Sequence, residues 1–289
     1  IGLLLIANIL IMVTLSITVP IVINVILPMF GVDVRGSVDL TSLVWAAMFG
    51  FGGAFISLAF SKQMARAMLN CQQITQPRSH AEQIIYGSVQ EIAQRLHITM
   101  PEVWVYDSPD PNAFATGPSK NNSMVAVSTG LLENLKEDEV KAVLAHEMGH
   151  VYNGDMFATT VLAGLMNTFV YYIAMWVRRF FADRDQAALG FGLSIVLQIV
   201  VSILASVVIS WFSRRREFGA DAFAAKVYGK NSMIGALRAI DRWVNRTQFD
   251  YSSQDALATM KISGKTGGFM SLFSTHPPIE VRIAALERL

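Results

Sequence analysis

Apolar residues along this chain gather into four long runs, residues 1–30, 43–60, 156–177 and 187–212, set apart by polar stretches. Wound as helices at about 1.5 Å per residue, runs of this length can cross a hydrocarbon layer of about 30 Å. The first holds Asn8, Asn24, Pro20 and Pro28, which a lone lipid-facing helix would carry at a cost, so it is expected to kink or to pack on its neighbours. Gly50, Gly52 and Gly53 in the second allow close helix approach. With residues 31–39 as a short turn, the pattern predicts a transmembrane hairpin (1–61), a polar part (62–155), a second apolar hairpin (156–212) and a final polar part (213–289).

Within the first polar part the periodicity changes. Ile84, Ile85, Val89, Ile92 and Leu96 share one face of a predicted helix over residues 81–96. Val103 to Tyr106 and Met124 to Val127 read as strands, the second preceded by the turn-forming Asn121-Asn122. Between them, Asn112-Ala113-Phe114-Ala115-Thr116-Gly117 reads either as a loop with a buried Phe or as an edge strand able to pair with an extended peptide. The fold class expected is a mainly α membrane protein with a small α+β domain outside the lipid.

Composition agrees: 53% hydrophobic and only 16% charged residues is too apolar for an average soluble domain. A net charge of +1, with no basic arm, gives no reason to expect nucleic acid. The lone Cys71 has no internal disulfide partner. The chain opens at Ile1, and its first run is too long for a signal-peptide core and lacks a small-residue cleavage site, so no cleavable signal is expected. Lys62 and Arg66 after the second run, and Arg214, Arg215 and Arg216 after the fourth, place both polar parts in the cytoplasm. Arg178, Arg179 and Arg184, between the third and fourth runs, point the other way and leave the second hairpin either spanning or shallow. The first polar part is net acidic and the last net basic, which favours their docking into one domain.

The chemistry concentrates at His146-Glu147-Met148-Gly149-His150, entered by residues 139–145 with helical character. On a helix the two histidines are i and i+4, one face, at the separation that grips a single metal ion. Glu147 lies about 100° around the axis, within reach of a water on that metal without being a ligand, which is the place for a general base. A catalytic zinc takes three protein ligands, and the third is expected from Glu217, in a helix starting near residue 213. Asp221, one turn on, can accept the free ring N–H of a ligating histidine and fix its tautomer. An ion held so would polarise a peptide carbonyl, Glu147 would take a proton from water, and His276, stiffened by Pro277 and Pro278, is the expected oxyanion donor. His80 and His97 lack such surroundings and read as structural.

The ordered set of two N-terminal runs, Asn112 to Gly117, His146 to His150 followed by Asn153-Gly154-Asp155, two further runs, Glu217-Phe218-Gly219-Ala220-Asp221 and Thr275-His276-Pro277-Pro278 resembles the HtpX proteases over nearly the whole chain. The related CAAX prenyl proteases share the zinc motifs but have more spans. The resemblance implies a zincin-like (gluzincin) endopeptidase of the bacterial inner membrane, linked to stress, with its site on the cytoplasmic side. It would remove damaged or misfolded membrane proteins. It also implies one zinc per chain on His146, His150 and Glu217, Glu147 as the catalytic group, Asp221 behind a ligand, and Asn112, Ala113 and Phe114 holding the substrate backbone. A dedicated processing peptidase, and a membrane scaffold with a purely structural zinc, are the competing readings.

Overall fold

A computed structural model describes residues 21–31, 38–247 and 272–289, so most of the first apolar run, and the turn expected over 31–39, lie largely outside the described residues. Contacts divide the chain into two units, residues 1–58 with 158–209 and residues 59–157 with 210–289.

Unit one is built from apolar helices. Helix α1 (Val38–Ala59), α6 (Asp155–Ala182) and α7 (Ala187–Tyr228) contain three stretches long and apolar enough to cross a membrane. Gly50 does what the sequence suggests: a Cβ there would lie 2.3 Å from Thr168 Oγ1 and 2.4 Å from the Thr168 nitrogen, so only a glycine lets α1 and α6 touch backbone to backbone. Phe51 fills the space above Gly164, and Phe49 packs its ring 6.1 Å from that of Tyr171. Leu165, Phe169, Ile199 and Leu204 point outwards, as side chains bathed in lipid do. At the turn between α6 and α7, Arg178 donates to Ser194 Oγ (2.8 Å) and Arg184 stacks on the Phe180 ring.

Unit two has a four-stranded sheet of order β1-β2-β4-β3, from β1 (Gln72–Gln73), β2 (Glu102–Tyr106), β3 (Ala113–Ser119) and β4 (Asn122–Ser128). β2 and β4 run parallel, and the other pairs antiparallel. Of the 112–117 stretch, all but Asn112 thus belongs to a strand, and among the described residues β3 pairs with β4 alone, which makes it the sheet edge. Alternation sends Val103, Val125 and Val127 to one face, where they join Ile85, Val89 and Ile92 of α3 (His80–Leu96), Val143 and Leu144 of α5 (Glu137–Asn153), and Met233, Leu237 and Ile240 of α8 (Lys230–Thr247) in the main core. The other face, with Tyr106, Phe114, Met124 and Ala126, is covered by Ala65 of α2 (Ser61–Leu69). A short helix α4 (Thr129–Asn134) follows β4, and α9 (Ile279–Glu287) closes the chain. Ser79 caps α3, accepting from the Glu82 N–H at 3.2 Å, and His97 ends it in a left-handed cap at φ 52°, a structural position. His80 is exposed on the first turn of α3, 3.7 Å from Glu137.

One expectation needs correction. No helix starts near residue 213: α7 runs unbroken for 42 residues from Ala187 to Tyr228 and carries Glu217 and Asp221 itself. The change there is one of polarity, with no proline, glycine or cap to stop the backbone.

Candidate metal centre

Helix α5 brings the first three site residues. Its first turn carries Glu137, Asp138 and Glu139, favourable at the positive end of the helix dipole, and the Glu139 side chain accepts from the Lys136 N–H at 2.9 Å. Gly154 ends it at φ 69°, which glycine adopts without strain. Gly149 sets the spacing to α7, since a Cβ there would lie 3.2 Å from Phe223 Cδ1 and 3.3 Å from Ala220 Cα. Lacking that side chain, the two helices close until Glu217 meets the imidazoles.

The three ligand atoms converge. His146 Nε2 and His150 Nε2 are 3.2 Å apart, His150 Nε2 is 3.2 Å from Glu217 Oε1, and His146 Nε2 is 3.5 Å from Glu217 Oε2. A tetrahedral ion with bonds of about 2.0–2.1 Å sets its ligand atoms about 3.3 Å apart, so the imidazole pair, and each imidazole with the Glu217 oxygen nearest it, have a spacing that suits zinc. Glu217 is only 2% exposed, and its Oε2 accepts no hydrogen bond although His276 Nδ1 (2.7 Å) and Arg282 Nη1 (3.2 Å) crowd it. A buried carboxylate oxygen that lies among cationic groups without accepting a hydrogen bond fits the role of a metal ligand.

Each imidazole is held from behind by its own carboxylate. His146 Nδ1 lies 2.9 Å from Asp221 Oδ1, as the sequence suggests, and His150 Nδ1 lies 2.5 Å from Asp155 Oδ2, which it does not. Each carboxylate is in turn matched by a guanidinium. Arg282, 0% exposed, donates to Asp221 through Nε (2.8 Å) and Nη2 (2.6 Å), while Arg216 pairs with the Asp155 carboxylate and donates to its main-chain oxygen at 2.5 Å. Sequence reasoning missed Arg282 and Asp155. A signal existed for the first: Ile279, Arg282 and Leu286 are the buried face of α9, and an arginine on an apolar stripe at helical spacing asks for a buried partner.

Four carboxylates, Glu147, Glu217, Asp221 and Asp155, therefore face two guanidiniums. A divalent cation cancels that excess. Among the protein groups alone the histidines compensate: burial pushes both imidazoles down, but Asp221 and Glu217 outweigh it for His146, and Asp155 with Glu217 raise His150 to about 10. Glu147 is buried beside the ligands, and burial pushes its carboxyl up from the ordinary range. His276 joins the site through its contact with Glu217.

Asn112 immediately precedes β3, Ala113 and Phe114 begin it, and α5 packs on that strand. Their side chains are buried: Asn112 Nδ2 donates to the Tyr106 hydroxyl at 2.9 Å, and Phe114 packs under α2. Any hold on a peptide is left to the main chain, and of the three only that of Ala113 faces away from β4.

Residues 79–289 match Peptidase family M48. The chain belongs to that family. It is 44% identical to Protease HtpX of Pasteurella multocida over 98% of both chains, and 46% identical to Protease HtpX of Tolumonas auensis over 98% of this chain and 96% of that one. The fold is similar to the crystal structure of S. mikatae Ste24p, at TM-score 0.63 and 19% identity, covering 96% of this chain and 67% of that one. Family and site together make the protein a metalloprotease with membrane-spanning helices, as the ordered motifs suggest.

Proposed function

We propose that the protein is an integral-membrane zinc endopeptidase, with one zinc per chain, that cuts misfolded or damaged membrane proteins from the cytoplasmic side of a bacterial inner membrane. The observation that carries the chemistry is the triangle of His146, His150 and Glu217 at zinc spacing with Glu147 beside it. Bound there, zinc supplies a Lewis acid for the peptide carbonyl and lowers the pKa of water. Glu147, made more basic by burial, takes the proton and returns it to the leaving amine. His276, which contacts Glu217, is the donor to the developing oxyanion in this reading. A closed structural zinc site would have no use for such a base, which favours the enzyme over the scaffold reading.

The edge strand suits an extended substrate. The Asn112 carbonyl accepts from the Ser128 N–H at 2.9 Å, so alternation along β3 turns the main-chain groups of Ala113 and Ala115 away from β4. Main-chain pairing there reads no sequence, which suits a protease for unfolded segments. Lys62, Arg66 and the arginines from 214 to 216 support a cytoplasmic site, against Arg178, Arg179 and Arg184 at the other turn.

Protein purified in detergent should digest casein when zinc is supplied and stop when a chelator is added. Digestion of no unfolded protein would leave the dedicated processing peptidase. A cysteine placed at the exposed Lys120 should be labelled from the cytoplasmic face of sealed vesicles; labelling only from the other face would reverse the orientation.

A further inference from the structure

The segment that delivers His276 has little regular structure of its own, and its main-chain carbonyls need donors. Helix α7 supplies them. Arg214 Nη1 donates to the Ser274 carbonyl at 2.7 Å and to the Leu272 carbonyl at 3.1 Å, and Ser210 Oγ donates to the Phe273 carbonyl at 3.1 Å. Three successive carbonyls are thus held by two side chains. Ser274 Oγ then donates to the His276 carbonyl at 2.8 Å, passing the restraint to the histidine itself. Beyond it come Pro277 and Pro278, and the Pro278 carbonyl accepts from the Val281 and Arg282 N–H groups in the first turn of α9 at 3.0 and 3.2 Å.

Ser210, Arg214 and Glu217 are spaced i, i+4 and i+7 on one helix, so they share a face. That one face presents a metal ligand and, one and two turns earlier, the grip on the segment bearing His276. A stiff helix therefore fixes the distance between ligand and oxyanion donor.

We propose that Arg214 is a positioning residue for His276, holding its segment through the carbonyls of residues 272 and 274. The proposal rests on His276 being the oxyanion donor. A planar guanidinium suits the task because its Nη1 serves both carbonyls in a fixed orientation, whereas the three donors of an ammonium rotate freely on a flexible stem. Loosening the segment misplaces a group that acts only in the transition state, a loss that falls on kcat.

The test is a double-mutant cycle on full-length protein. Arg214→Met should lower kcat for casein about 10 to 100-fold with KM within about threefold, while zinc stoichiometry and affinity stay at wild-type values. Arg214→Lys should recover part of the loss, and Ser210→Ala should show a smaller one. Amides of residues 273–276 should exchange faster in Arg214→Met, with zinc or without it. In a His276→Ala background, which is itself impaired, Arg214→Met should cost nothing further. An equal loss in that background, or weakened zinc binding, would show that Arg214 acts elsewhere while His276 keeps its role. Full activity of His276→Ala would instead remove the role of His276, and that of Arg214 with it.

Discussion

Replacing Asp221 by Asn tests how the site is built, because two functions separate in the outcome. Asp221 is 2% exposed and meets His146 Nδ1 at 2.9 Å and Arg282 at 2.6 and 2.8 Å. Asparagine carries no charge and has an oxygen at only one of the two positions: with it at Oδ1, where both His146 Nδ1 and Arg282 Nη2 meet the carboxylate, the NH2 group faces the donor Arg282 Nε. Losing the orienting partner of a ligating histidine should weaken zinc binding about 10 to 100-fold, or about 1.4 to 2.8 kcal/mol. Stranding the fully buried Arg282, left with Glu217 at 3.2 Å, should destabilise the protein by about 3 kcal/mol, the low end for a broken buried pair. Zinc affinity is read by competition with a chromophoric chelator, and stability by thermal melting with and without zinc. Adding Arg282→Met should restore much of the melting temperature, since an apolar side chain replaces a stranded charge, and leave the zinc deficit in place. Unchanged zinc affinity in Asp221→Asn would refute the orienting role, and no recovery in the double variant would refute the stranded charge as the cause.

Asp155→Asn should weaken zinc about tenfold through His150, with a smaller stability loss than Asp221→Asn because Arg216 is partly exposed; an affinity equal to wild type would detach Asp155 from the site. With the imidazole of His150 raised to about 10 in the protein alone, zinc must displace a proton near neutrality, so affinity should rise with pH. Calorimetry in buffers of different ionisation enthalpy at pH 7 should show at least about one proton released per zinc, and no release would contradict the charge balance. Ala115→Pro removes an N–H that faces away from β4, so KM for casein should rise about fivefold with zinc content unchanged; an unchanged KM would move the substrate off this edge.

The half-site on α5 was readable because a helix turns the spacing of His146 and His150 directly into geometry. Glu217 and Asp221 could be paired for the same reason, and both span the gap to α5 as expected. Polarity misled at residue 213, where the lipid-facing stretch ends but α7 continues, since backbone hydrogen bonds are indifferent to what their side chains touch. Arg282 was hidden by distance, its partner Asp221 lying 61 residues away, and only the apolar stripe of α9 hinted that it is buried. Asp155 escaped because it stands beyond Gly154, at the start of the next helix, where an acid also suits the dipole. For residues 112–117 the sequence left a loop with a buried Phe and an edge strand both open; the structure combines a strand with a buried Phe114, and nothing in the sequence showed that Asn112 also turns inward.

The most direct test of the hydrolytic account compares wild type with Glu147→Gln, measuring zinc per chain and casein cleavage on the same preparations. The account predicts about one zinc in both and cleavage in wild type alone, because Glu147 moves a proton and binds no metal. Persistent cleavage by Glu147→Gln, or loss of its zinc, would contradict it.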